Sequence, residues 1–359
     1  MTANKSRRDA AEWAEGAQLF ERTTRDLPTG RHQFHKERLM AQIQQSQQEE
    51  RTPAARRFWL ARPSIALPAL TVFVAGAIVA GVVITRGGGP AGGGVATGPA
   101  LTTQLGSASS DGVPQLLNQI ALAAVKVDQP IAKPGQYIYI ESETADTFVQ
   151  VVDDKSSLAS HELHRRQLWK SLDGTKGWLI DPAVDDSPDG ETLSLPDEQG
   201  NTPQAYLNNP SYDYLAKLTT DPGALLAKIY QETKGHGTSA DQEAFTTIGD
   251  LLGQSYPPAA LYSALFKAAA LIPGVVVVDD AVDAAGRHGV AVARLDATSG
   301  QRQEWIFDKQ TNVFLGERTV QVNQPSGENV LIKPGTVLFT SAILNRAVVD
   351  DIKQTPHAG

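Results

Sequence analysis

The stretch from Ile65 to Thr85, IALPALTVFVAGAIVAGVVIT, constrains this chain most, because it runs for 21 residues without a charge. At about 1.5 Å rise per residue a helix of that length spans roughly 30 Å, the hydrocarbon thickness of a bilayer. Arg62 and Arg86 bound it. It begins too deep in the chain for a cleaved signal peptide, which takes up about the first 15–30 residues. Pro68 is tolerated in the first helical turn, where the N–H groups lack intrahelical partners anyway. The other reading, a buried helix of a soluble protein, rarely runs this far without a polar side chain. The expectation is a transmembrane helix over 63–85 and a single-pass membrane protein.

Charge orients that helix. Residues 1–62 hold 12 Lys/Arg against 8 Asp/Glu, leaving 20 basic and 32 acidic residues for the rest of the chain. Arg51, Arg56, Arg57 and Arg62 stand just before the apolar run. Loops rich in Lys and Arg stay cytoplasmic, which puts the N-terminus inside the plasma membrane and the large C-terminal part outside. Within the run, Gly76 with Ala80 and Ala77 with Gly81 form a small-xxx-small pattern on which two helices can approach. A weak homodimer through that face is one reading. The general abundance of Gly and Ala in membrane helices is the other.

The chain has no cysteine. A disulfide framework is excluded, so the outer part must rest on its apolar core, and zinc sites with thiolate ligands are excluded too. Residues 86–110 are rich in Gly, Ala and Ser and read as a flexible tether. An outer domain is expected over 111–352, with a tail over 353–359. Gln115–Val127 has helical spacing. Strand-like runs follow at Gln136–Ser142, Thr147–Val152, Glu162–Ser171 and Gly177–Ile180. A helical block comes next. Asp221 caps a helix with Pro222 at its first position, and Leu225, Leu226 and Ile229 face inward. Ser239-x-x-Gln242 is a capping-box pattern ahead of Phe245, Ile248 and Leu252, with Gly253 to close. Pro258 opens a third helix, with Leu261, Leu265, Ala269 and Ile272 on one stripe and Gly274 past its end. Strands return at Val275–Asp279, Val290–Leu295, Arg302–Phe307, Val313–Val320 and Val337–Val348, with a hairpin turn at Asp308–Asn312. Strands flanking a block of helices argue for an α+β domain with an antiparallel sheet.

The sequence carries no Gly-x-Ser-x-Gly, no Ser-x-x-Lys and no Gly-Lys. Nucleophile-elbow, lactamase-type and P-loop chemistry are therefore excluded, and no enzyme and no cofactor are expected. His161 and His164, placed on one strand, point to opposite faces and cannot share an ion. The pairs Asp153-Asp154, Asp185-Asp186, Asp279-Asp280 and Asp350-Asp351 read as solvated strand ends. The loop Asp185–Gly190 opens like a calcium loop, but its twelfth position, where a bidentate Glu belongs, is Pro196. In the N-terminal segment, Ala10–Arg22 and Arg31–Gln44 are of helical type, with too few apolar residues for a core of their own. They read either as an arm that folds on a cytoplasmic partner or as a basic tail lying on anionic lipid.

Three stretches carry a resemblance: Glu37–Ile43 (ERLMAQI), Trp169-x3-Asp173-Gly174, and Leu261-Tyr262 with Ala268–Gly274 (AAALIPG). They resemble a family of actinobacterial single-pass membrane proteins, over most of the chain. The resemblance brings no catalytic residue. It implies genes that commonly lie beside extracytoplasmic-function sigma factors. The order of outer strands and helices is also similar to the curved half-barrels of periplasmic lipoprotein carriers and of sigma-regulatory sensors, an analogy of fold alone. The resulting expectation is an extracytoplasmic binding or sensing domain that regulates a sigma factor through residues 1–62. The alternative is a membrane-tethered carrier or chaperone of lipid or lipoprotein. Membrane lipid and a cytoplasmic protein are the expected partners, and nucleic acid is not.

Overall fold

A computed structural model describes residues 82–84, 95–126, 131–152, 155–184, 187–193, 204–324 and 331–356. Its strands are β1 (Val82–Ile84), β2 (Thr97–Pro99), β3 (Ala108–Ser109), β4 (Tyr137–Val152), β5 (Lys155–His161), β6 (His164–Ser171), β7 (Gly177–Ile180), β8 (Glu191–Thr192), β9 (Val275–Val282), β10 (His288–Asp296), β11 (Gln301–Phe307), β12 (Phe314–Gln321) and β13 (Val337–Val349). Its helices are α1 (Val113–Ala124), α2 (Tyr212–Leu215), α3 (Pro222–Glu232), α4 (Ala240–Gln254) and α5 (Ala259–Ala269). The α+β expectation holds: one sheet runs in the order β3-β9-β10-β11-β12-β13-β4-β6-β7-β8. Among the described pairs only β1 with β4 is parallel.

Local signals set the helix ends. The Asp221 carboxylate accepts from the Ala224 amide with Pro222 at the first position, and the Ser239 hydroxyl accepts from the Gln242 amide. The reciprocal half of the capping box is not made, because the Gln242 side chain goes to Thr246 and Arg294 instead. Gly253 does not close α4, which runs to Gln254. The Asp308–Asn312 hairpin forms as expected. Asp308 Oδ1 accepts from the amides of Gln310 and Thr311, and Asn312 takes the left-handed φ of 56°.

Helices α1, α3, α4 and α5 cover one face of the β9–β12 ladder, against Val275, Val292, Trp305, Phe307 and Phe314. Phe245 of α4 stacks flat on Trp305 of β11, 3.8 Å between centroids and 5° between planes. Gly249 makes that approach possible, since a Cβ there would lie 2.5 Å from Trp305 Nε1. The opposite face of β11 and β12 buries a charged triad. Glu304 accepts from Arg302 Nε and Arg318 Nε, both at 2.7 Å, and all three side chains are buried.

What covers the triad corrects the tether reading. Residues 95–110 are not loose: β2 pairs with β5, Thr102 bridges Thr336, and β3 pairs with β9. Between these points Gly106 O accepts from the Arg302 guanidinium, and Thr103 Oγ1 accepts from Arg318. An added Cβ at Gly106 would meet Val278 Cγ1 at 2.7 Å, so only glycine lets the strap lie this close. The cause is backbone satisfaction. A composition poor in apolar side chains still docks when its amides and carbonyls complete the sheet edges.

Four further expectations are corrected. The two runs 136–142 and 147–152 are one strand, β4, whose first part pairs with β13 and β6 and whose last part pairs with β5. The Ser-rich Lys155–His161 is also a strand, although it has no β-branched residue and no Phe, Tyr or Trp to mark it as one. At the C-terminus Lys353 and Gln354 belong to the domain. Trp169 Nε1 donates to Gln354 O, and Lys353 Nζ stands 4.2 Å over the Trp178 ring. Finally, Val82–Ile84, at the end of the expected span, is extended and pairs with Val149–Val151, as consecutive β-branched residues favour. The rest of 63–85 lies outside the described residues. So do Arg51, Arg56, Arg57, Arg62, Gly76, Ala77, Ala80, Gly81 and residues 1–62. No helix among the described residues is long and apolar enough to cross a membrane.

Candidate functional site

The β4–β6 register sets Ile138 opposite Lys170, Ile140 opposite Leu168, Ser142 opposite Arg166 and Thr144 opposite His164. Directly paired residues share a face, so β6 alternates an inner row (His164, Arg166, Leu168, Lys170) with an outer one. The inner row continues onto β7 through Leu179. Two features result on the same face as the helices: a cleft at the Lys170 end and an ionic strip at the His164 end.

The cleft is shallow and partly open to solvent, with a cavity volume of about 20 Å³, the room of a single water or a very small molecule. Ile138, Ile140, Leu168 and Leu215 form its apolar wall, and Pro210, Tyr212, Ser255 and Tyr256 its rim. Lys170 is half-buried in it. Its Nζ donates to Asn209 Oδ1 at 2.8 Å and to Pro210 O at 2.7 Å. Among the described residues no carboxylate pairs with this amine. Burial pushes the Lys170 ammonium down to about 8, because the apolar wall solvates the charged form poorly.

In the ionic strip, Asp181 sits between two cations. His164 Nε2 is 3.1 Å from Asp181 Oδ1, and Arg166 Nε is 3.2 Å from Asp181 Oδ2. Burial works to raise the Asp181 carboxyl, but hydrogen bonding to His164 and the charge of Arg166 bring it below the usual carboxylate range. Burial works to lower His164, and its hydrogen bonds to Asp181 and Glu162 O carry it above the ordinary imidazole value. Burial lowers Arg166, against the opposing pull of Asp181.

The two histidines are placed differently from the sequence expectation. His161 ends β5 and His164 begins β6, and both strands run antiparallel along β4, with Thr147 opposite Ser160 and Thr144 opposite His164. The chain carries one extra residue between them, a bulge that brings both histidines to one face. Their rings therefore converge, edge to face, with centroids 6.3 Å apart. His161 Nδ1 lies 2.8 Å from Asp146 Oδ1, and both nitrogens of His164 are engaged. Among the described residues no group of three or more His, Asp or Glu side chains could hold a metal ion. Asp279-Asp280 lies exposed within β9 and Asp350-Asp351 just after β13. Asp153-Asp154 and Asp185-Asp186, the latter opening the acidic loop Asp185–Gly190, lie outside the described residues. Sequence reasoning missed Arg166, Lys170 and Asp181. The alternation of HRRQLWK along β6 was the available signal for the first two.

No protein-family profile matches the chain, and no curated protein does. Among solved structures, a chain from "The complex structure of Pseudomonas aeruginosa MucA/MucB" is similar at 13% identity, with a TM-score of 0.22. The similarity covers 68% of this chain and 58% of that one, less than two thirds of the neighbour's length. A TM-score that low establishes no shared fold, and the likeness carries no argument about function.

Proposed function

We propose that this chain is a membrane-anchored protein whose outer α+β domain binds a ligand or partner and reports it to a cytoplasmic factor. The supporting observation is the uneven use of the sheet's inner face. Helices fill it over β9–β12, whereas the β4–β6–β7 end keeps a cleft and an ionic strip. Clusters of shifted titratable groups beside a cleft are where binding sites concentrate. Anchoring rests on the apolar run. With Val82–Ile84 taken up by β1, Ile65–Gly81 still supplies 17 residues, near the lower limit of about 17 that spans a bilayer. The arginines before it place the N-terminus inside. A sigma factor is the first cytoplasmic partner to try, given the family resemblance.

Two experiments test this reading. A cysteine at the exposed Ser109 should react with a membrane-impermeant reagent on intact cells, and one at Ser46 should not; native thiols are absent, so the background is clean. The reverse pattern would move the domain inside. A pull-down with residues 1–62 as bait should then return a specific cytoplasmic protein. A second reading, a tethered carrier of lipid or lipoprotein, is favoured by the apolar wall of Ile138, Ile140, Leu168 and Leu215. Deleting residues 1–50 silences a sensor and leaves a carrier working.

A further inference from the structure

We propose that Lys170 is a carbonyl-reactive amine: a small aldehyde entering the cleft condenses with Nζ to an imine and releases one water. The proposal stands on the cleft alone and is independent of membrane anchoring. Three observations carry it. First, Nζ is fixed by two acceptors, Asn209 Oδ1 and Pro210 O, both neutral. A carboxylate partner would hold the proton on the amine, and none is present among the described residues. Second, with Cε and these two acceptors occupying three of the four tetrahedral directions, a neutral Nζ keeps its lone pair in the fourth. Third, the amine lines a solvent-open cleft walled by Ile138, Ile140 and Leu168, which favours the uncharged form that attacks a carbonyl.

The step balances without an oxidant or reductant. The Nζ lone pair forms an N–C bond as the carbonyl π pair moves to oxygen. Nζ loses its protons, the carbinolamine oxygen leaves as water, and a C=N bond remains. Hydroxyls of Tyr212 and Tyr256, which line the same cleft, are available to pass the proton to the departing oxygen. Burial raises the Tyr256 hydroxyl, which keeps it protonated and able to donate.

The test is a pH series of reductive methylation on the purified full chain, with formaldehyde as the aldehyde and cyanoborohydride as the trap, mapped by peptide mass spectrometry. Lys170 should be labelled about tenfold or more faster than the exposed Lys155 and Lys309 at pH about 7.5, given the ordinary lysine value of about 10.4. Its rate should reach half its maximum near pH about 8. In urea the advantage should vanish. Labelling no faster than Lys155 in the folded chain, no labelling at any pH, or an advantage that survives urea would each overturn the proposal. No variant is needed, so misfolding cannot blur the outcome.

Discussion

The helix-covered half of the sheet and its β4–β6–β7 end share one antiparallel ladder, yet they use their inner faces in opposite ways. Over β9–β12 the inner face is mainly aromatic and aliphatic, with Gln303 and the buried Glu317 set against α4, and it is covered by α1, α3, α4 and α5, with Trp305 wholly buried. At the other end the same face carries Lys170, Arg166 and His164 at alternate positions, and a cleft remains open. Burying large apolar side chains stabilises, whereas holding cations in half-buried places costs stability unless partners are supplied. The first half therefore holds the fold together and the second is free to carry chemistry. That difference can be broken at specific residues.

The largest effect belongs to the covered half. Trp305→Ala removes a fully buried ring and the partner of Phe245, and should cost about 3–5 kcal/mol in urea unfolding. A loss under about 1 kcal/mol would mean that the stack is not central to the core. Next is Glu304→Ala, which leaves two buried guanidinium groups facing each other beneath the strap. About 3 kcal/mol should be lost. Thr103→Val, which removes only one acceptor, should cost markedly less by the same measurement.

The open end should respond to pH more than to truncation. Asp181 is lowered, so its contribution is present above its unfolded value of about 3.9 and is lost as pH falls through the folded value. His164 is raised, so its contribution is present below about 6.5 and is lost as pH rises through the folded value. Both act together between those limits. Thermal melts of the wild type should peak in that window, and Asp181→Asn should flatten the peak. An unchanged profile in the variant would show that the strip contributes nothing. The smallest effect expected is that of Lys170→Met. Relief of a half-buried charge offsets the loss of two hydrogen bonds, and stability should stay within about 1 kcal/mol of wild type.

By itself the sequence determined the features whose partners lie within a few residues. The Asp221 and Ser239 caps, Pro222 at a first position and the Asp308–Asn312 hairpin all form, because a side chain and a backbone amide three residues away cannot avoid one another. The α+β class followed from the same local periodicities. Tertiary structure decided whatever depended on register. Whether His161 and His164 diverge or converge turns on one extra residue in the register along β4 between Ser160 and His164, since a strand reverses its side-chain directions with every residue. Whether 95–110 is a tether or a strap turns on free sheet edges that only the assembled ladder provides. The alternation of HRRQLWK places Lys170 on one row of β6 with Leu168, but nothing in that string tells of its basicity. Its depressed basicity comes from Ile138 and Ile140, some thirty residues away in sequence, which the sheet sets beside it to replace the water an ammonium needs.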